Sequence, residues 1–316
     1  MLIKLLEPLR VSEARVEELA RPLREKGHEF VYYSEKTTDV NELVKRSKGA
    51  DVVMIANNPY PKEVIERVKD VQFINVAFTG VDHVAVKEAK EKGVTISNAA
   101  GYSDQAVAEL VLGLTLDVFR GISSGNEAIR QEDFSGGMQG REISGKTVGI
   151  IGTGNIGLKT AKLFQAFGAN VIGFNRSIKD EAVSMGIQYV SLEELLLESD
   201  IVSVHLPLNE ETRGFLSREQ LGKIQSSAVL INCARGPIVD DTVLAELLNK
   251  GEIAGAGVDV FAGEPPLPED HPLLHAKNAV LTPHVAYLTD EAMERRAQIA
   301  FENTLAYLEG KPQNLI

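Results

Sequence analysis

The 316-residue sequence holds a single cysteine, Cys233. One thiol cannot close an internal disulfide, so nothing in the chain points to secretion. Long apolar runs are also missing, and none approaches the roughly 20 residues that a membrane helix needs. The N-terminal run MLIKLLEPL is broken by Lys4 and Glu7 and lacks a small-residue cleavage site. It reads as a first β-strand rather than a signal peptide. A basic surplus is lacking as well. Lys and Arg total 33 against 45 Asp and Glu, a net charge of -12, and such a surface repels nucleic acid and anionic membranes. A small acidic ligand is not excluded, because it feels the local field of its pocket. Solenoid-type repeats and low-complexity tracts are absent. The expected location is the cytoplasm, with no nucleic-acid or membrane partner and no metal.

What is present is an ordinary globular composition, 44% hydrophobic and 25% charged, in a chain long enough to divide into two domains. Residues 52–56 and 73–77 read as buried strands. Between them, Val64, Ile65 and Val68 keep helical spacing over residues 61–69. Strand, helix and strand at this interval predict βαβ units and a parallel sheet. Val107, Leu110, Val111, Leu114 and Val118 line one face of a long amphipathic helix, with Asp104 as its expected N-cap. Residues 134–140 read as a loop by composition. A second series begins at Thr147. Its strands, at 147–152, 171–174, 201–205, 228–232 and 254–258, are continuous apolar runs without period-two alternation. That is the pattern of strands buried on both faces of a doubly wound sheet. A last helix, over residues 290–309, carries Met293, Ala297, Phe301, Leu305 and Leu308.

The run GTGNIG at 152–157 matches G-x-G-x-x-G. The pattern alone is weak, but here it follows a strand and opens a helix at Asn155, the context that the motif requires. Gly152 permits a tight turn, Gly154 lets a pyrophosphate approach the backbone, and Gly157 lets the helix pack on the sheet. The pyrophosphate then meets free N–H groups and the positive end of the helix dipole. The alternative is a structural βα turn without ligand. Where NAD enzymes place an acidic residue for the ribose 2′-hydroxyl, this chain has Asn175, followed by Arg176 and Ser177. Asn does not repel a 2′-phosphate and Arg176 can pair with one, so NADP is the favoured cofactor, with NAD as the alternative if Arg176 is only a solvated surface residue.

Four ordered motifs resemble the D-isomer-specific 2-hydroxyacid dehydrogenases over nearly the whole chain. They are GKTVGIIGTGNIG at 145–157, INCARGPIVD at 231–240, GVDVFAGEP at 257–265 and TPHVA at 282–286. The resemblance implies a catalytic set of Arg235, Glu264 and His284, and a hydride transfer between NAD(P) and a small 2-keto or 2-hydroxy acid. The chemistry suits those residue types. Arg235 offers planar donors to the substrate carboxylate. His284 can give a proton to the ketone oxygen. Glu264 would bond the imidazole, favour its charged form and fix its orientation. Each has a blander reading: a structural arginine, a loop carboxylate and a packed histidine. The family pattern shifts Glu264 and His284 toward function, whereas His28, His83, His271 and His275 have no such support.

The resemblance also implies cofactor contacts from Asn155, Ile156, His205, Pro207, Cys233, Ala234 and Asp259. His205 could instead be packing, and Asp259 could instead cap a turn. In the run AFTGVD at 77–82, Thr79 and Gly80 would hold the substrate carboxylate through backbone N–H groups. Asn57, Asn58, Pro59 and Tyr60 are expected to shape the pocket for the substrate tail. This segment carries no arginine for a substrate phosphate, and the chain stops at Ile316 without a regulatory domain, so glyoxylate, hydroxypyruvate or pyruvate is favoured over phosphoglycerate.

The expected fold is α/β, a Rossmann-type cofactor domain (residues 100–287) inserted into a flavodoxin-like substrate domain (1–99 and 288–316). The site is expected in the cleft between them, with the two chain crossings as a hinge. The resemblance implies a homodimer through the cofactor domain. Two alternatives stay open. One is a phosphite or formate dehydrogenase. The other is a non-enzymatic, nucleotide-sensing protein of the co-repressor kind, which shares the fold and the triad.

Overall fold

Short apolar runs make the strands of a first sheet: β1 (Leu2–Leu5), β2 (Glu29–Tyr32), β3 (Val52–Ile55), β4 (Phe73–Val76) and β5 (Thr95–Asn98). All residues of β3 and β4 are buried, which leaves no polar face to turn toward water. The strands run parallel in the order β2-β1-β3-β4-β5. This is a computed structural model, and it describes residues 1–132, 134, 139–263 and 265–316. Glu264 and most of the expected loop at 134–140 lie outside the described residues.

The chain separates into two units, Met1–Ser103 with Leu288–Ile316, and Asp104–Tyr287. The returning segment completes the core of the first. Thr289 caps the helix Asp290–Leu308 by accepting from Ala292 N at 3.1 Å. That helix buries Ala297, Ala300 and Phe301 against Ile3, Leu5 and Phe73. Phe73 and Tyr307 stack with ring centroids 4.1 Å apart. Beneath them the buried Asn75 amide donates to Thr304 Oγ1 at 2.8 Å, so a polar group inside the core keeps its partner. The end of the chain then bonds to β5, Asn98 N to Asn314 O at 3.0 Å and Ile316 N to Ile96 O at 3.1 Å.

The second unit holds seven parallel strands: β6 (Thr147–Ile151), β7 (Asn170–Phe174), β8 (Gln188–Tyr189), β9 (Ile201–Val204), β10 (Val229–Asn232), β11 (Gly255–Val258) and β12 (Ala279–Leu281). Their order is β12-β11-β10-β9-β6-β7-β8. Parallel neighbours need crossovers, and the helices that supply them bury Leu158, Ala161 and Phe164 on one face of the sheet and Leu195, Leu244 and Leu248 in a second cluster. The long helix Asp104–Arg120 joins the first of these clusters through Val107, Val111 and Leu114. Asp104, expected as its cap, is instead its first residue and is buried. Gly101 takes φ +93°, and the turn at 101–103 leads the chain into the helix one residue earlier. No helix among the described residues is long and apolar enough to cross a membrane.

Candidate active site

In a parallel sheet every strand points its carboxyl end the same way, so residues just past those ends are brought to one edge. In the Asp104–Tyr287 unit that edge carries most of the residues expected from the sequence. Reading along β12, β11, β10, β9, β6 and β7, the residues that follow are His284, Asp259, Arg235, His205, Gly152 and Asn175. At a strand spacing of about 4.8 Å they spread over roughly 24 Å of edge.

The turn after β6 is built by its glycines. Gly152 adopts φ +100°, and a Cβ there would stand 2.8 Å from His205 O. A Cβ on Gly157 would stand 2.1 Å from Gly152 O, so only glycine lets the helix Asn155–Ala166 start so close to the turn. Among the described residues nothing lies within 4 Å of a Cβ position at Gly154, which leaves open space beside the helix start. The first intrahelical bond there runs from Leu158 N to Gly154 O at 2.9 Å. The N–H groups of Asn155, Ile156 and Gly157 therefore precede the ladder. Open space beside those donors fits a dinucleotide pyrophosphate.

After β7, Asn175 Nδ2 donates to Ser177 O at 2.8 Å and closes a turn. Arg176 is 90% exposed and faces Glu211 at 3.5 Å, a pair that water screens almost completely. After β9, His205 Nε2 lies 2.8 Å from Ser203 Oγ, and Pro207 is exposed. Burial lowers the His205 pKa to about 3, below the ordinary 6.5, so the ring is neutral near pH 7. A folded-state value below the unfolded one means that stability is full above pH 6.5 and falls as pH drops toward 3. The residue keeps part of its surface in water and feels a partial penalty, so the expected loss is about 1 kcal/mol at a pH of about 5. His205→Gln is expected to flatten the acid side of a plot of Tm against pH. A curve as steep as the wild type's would count against this.

After β10, Cys233 is buried and its thiol is pushed up chiefly by that burial. Asn232 shapes the turn, accepting from Ala234 N at 3.1 Å and donating to Arg235 O at 3.2 Å. Arg235 itself has an extended backbone, φ -147° and ψ 138°, with Nη1 donating to Ala234 O at 2.8 Å.

Asp259, the expected cofactor contact after β11, is fully buried. One carboxylate oxygen accepts from Thr282 Oγ1 at 2.6 Å and Val285 N at 2.9 Å, and the other accepts from Ala286 N at 2.9 Å. The carboxylate thus braces the 282–286 turn, the capping alternative left open by the sequence. Burial raises its pKa above the ordinary value, and these bonds pull in the opposite direction. Within the braced turn His284 takes φ +54°, a left-handed conformation rare for a side chain of its size. Its N–H donates to Asp259 O at 2.8 Å, and its ring meets Tyr287 edge-on at 5.6 Å.

In the first unit, Asn98 Nδ2 donates to Thr79 O at 2.8 Å and fixes the loop that holds Thr79 and half-buried Gly80. Of the four residues expected to shape a tail pocket, Asn58 and Tyr60 are buried, and the Tyr60 hydroxyl donates to Ser47 Oγ at 2.9 Å. Asn57 and Pro59 keep some exposure. Sequence reading missed what holds this segment. Glu7 Oε1 accepts from Ala56 N at 2.8 Å and Asn58 N at 2.7 Å, and Arg296 Nη1 donates to Asn57 Oδ1 at 3.1 Å. The available signal was a carboxylate placed just after the first strand.

Counted from the start of its unit, the second sheet has the order 3-2-1-4-5-6-7, with a glycine turn after the first strand, and this defines a dinucleotide-binding α/β fold. The family profile described as "D-isomer specific 2-hydroxyacid dehydrogenase, NAD binding domain" matches residues 112–286. A hydroxypyruvate reductase of Blautia hydrogenotrophica is 33% identical over 297 residues, covering 92% of each chain. A glyoxylate reductase of Thermofilum pendens is 36% identical over 278 residues, covering 85% of this chain and 82% of the relative. The solved structure of an acyclic imino acid reductase in complex with NADPH and D-Arg superposes with a TM-score of 0.90 at 32% identity, covering 100% of both chains. The chain belongs to the D-isomer specific 2-hydroxyacid dehydrogenases. It is accordingly a nicotinamide-dependent oxidoreductase acting on a CH–OH group.

Proposed function

We propose that the physiological substrate is a small 2-keto acid, with glyoxylate, hydroxypyruvate and pyruvate as the candidates, and that NADP is the preferred cofactor. The observation that carries the reading is the placement of Arg235 and His284 past the ends of β10 and β12, on either side of the strand whose Asp259 holds the His284 turn. Arg235 would bind the carboxylate and polarise the adjacent carbonyl. His284 would give its proton to the ketone oxygen, and Glu264 would orient and charge His284. Thr79 and Gly80 would add backbone N–H donors to the carboxylate. The turn at 152–157, with Asn155 and Ile156, would hold the dinucleotide, together with His205, Pro207, Cys233 and Ala234. The nicotinamide bound there supplies the hydride. The Asp104–Tyr287 unit is then the cofactor domain and the other the substrate domain.

The test is absorbance at the nicotinamide band with NADPH or NADH and the three keto acids. Turnover with one of them supports the reading. Tight cofactor binding without turnover of any of the three would overturn this choice of substrate. Support for NADP comes from Asn175 and exposed Arg176, and from the NADPH bound to a relative of equal fold. Arg176→Asp is expected to shift the NADPH-to-NADH ratio of kcat/KM by about 10- to 100-fold toward NADH, the worth of one charge-assisted pair. An unchanged ratio would show that Arg176 does not read the 2′-phosphate.

A homodimer and a cytoplasmic location belong to the same proposal. The helix Ile122–Arg130 buries none of its side chains, and Ile122 and Ile129 are 56% and 71% exposed. A second copy would cover that apolar face. The lone buried Cys233 suits a reducing compartment.

A further inference from the structure

Two aspartates stand together at the start of the helix Asp241–Lys250, and they do different work. Asp240 is the cap, its Oδ1 accepting from Thr242 N at 3.1 Å and Val243 N at 3.0 Å. The helix therefore does not need the carboxylate of Asp241, which turns to the chain beyond β11. Its Oδ2 accepts from Ala262 N at 3.2 Å and lies 3.5 Å from His271 Nε2. The two side chains are only 7% and 11% exposed, and the His271 ring stands edge-on to Phe261 at 5.7 Å and 87°. Residues 261–262 are pressed from the other side by the backbone at Gly236. A Cβ on Gly236 would fall 1.9 Å from Phe261 C and O and 2.5 Å from Ala262 N, so no other residue fits without moving that segment.

A buried carboxylate–imidazole pair is a poor way to stabilise a fold, because desolvation cancels most of the attraction. Here the cost is visible. Among the described residues, Asp241 Oδ1 and His271 Nδ1 are buried without a hydrogen-bond partner, and burial pushes the Asp241 carboxyl above its ordinary range. What the pair does achieve is a fixed backbone at one place. Arg235 is the residue before Gly236, and Glu264 follows Ala262 by two positions in the sequence.

We propose that Asp241 and His271 are positioning residues for keto acid reduction: they clamp residues 261–262 against Gly236 and so fix the backbone from which the neighbouring Arg235 reaches the substrate carboxylate. The proposal rests on the catalytic reading given above. Asp241 and His271 touch neither substrate nor cofactor in it and act only through the backbone beside Arg235.

The test compares Asp241→Ala and Asp241→Asn, and His271→Leu and His271→Gln, with Arg235→Ala as the reference. Each is measured as full-length enzyme with glyoxylate, hydroxypyruvate and pyruvate, well below its Tm. Asp241→Ala and His271→Leu are expected to lower kcat and raise the keto acid KM, each by about 10-fold. The cofactor KM should stay close to wild type, while Tm should fall, because each change leaves a buried partner unpaired. Asp241→Asn keeps an acceptor for Ala262 N and His271→Gln keeps a donor for Asp241, so both should recover most of the loss.

A raised keto acid KM in Arg235→Ala with a wild-type KM in Asp241→Ala and His271→Leu overturns the proposal. So does a rise in KM that Asp241→Asn and His271→Gln do not reverse. An unchanged keto acid KM in Arg235→Ala overturns the reading of Arg235, and the proposal with it.

Discussion

His284→Ala is expected to lower keto acid reduction by about 100-fold or more while leaving cofactor affinity unchanged. Proton donation to the ketone oxygen develops in the transition state, so kcat and kcat/KM should fall together. The backbone adds a complication, because position 284 holds φ +54°. Left-handed conformations cost an ordinary L-residue about 1–2 kcal/mol, whereas Asn visits them more readily. His284→Asn is therefore the companion variant: it removes the proton donor and relieves the strain. Equal losses in the two variants assign the effect to the missing imidazole. Turnover near the wild-type rate in either would mean that another group supplies the proton.

The second large effect concerns the residue beneath. Asp259→Ala would leave Thr282 Oγ1, Val285 N and Ala286 N without their acceptor, in a turn where Asp259 is fully buried. Each unpaired buried donor costs about 1–3 kcal/mol when isolated, although neighbours share the relaxation. The expected result is a clear fall in Tm and a loss of about 100-fold in kcat, because His284 is no longer held in its unfavourable conformation. Cofactor affinity should change little. A direct contact with the nicotinamide amide, the role suggested by family likeness, would give the opposite pattern: a weaker cofactor complex with Tm intact. Binding titration beside thermal melting separates the two.

How much of this could be read in advance depended on the kind of signal. The sheet was legible because runs such as Ile201–Val204 and Val229–Asn232 are apolar throughout, and few other environments tolerate that. Ends were less legible. Gly152, His205 and Asp104 each fell one residue from the expected place, since turn geometry and not hydrophobicity decides where an element stops. The glycine turn was readable because its spacing carries its own mechanism, and the crowding at Gly152 and Gly157 is that mechanism made visible. The conformation of His284 and the brace of Asp259 were not legible. Both depend on bonds between residues 23 to 27 positions apart, which no local pattern announces. Asp241 was hidden for a different reason: beside Asp240, it looks like a spare helix-capping carboxylate.

The return of residues 288–316 to the first sheet imposes an order on biosynthesis. The strands β1 to β5 leave the ribosome before the inserted unit, yet Ala297, Ala300 and Phe301, which close their core, arrive only after it. The nascent first sheet must wait with an open apolar face while a whole second unit is made and folds by its own contacts. A delay at the later junction would lengthen that exposure without altering a single native contact. Substitutions that weaken the helix Asp290–Leu308 should accordingly show first as lower soluble yield from cells, and only afterwards as a lower Tm of the protein that survives.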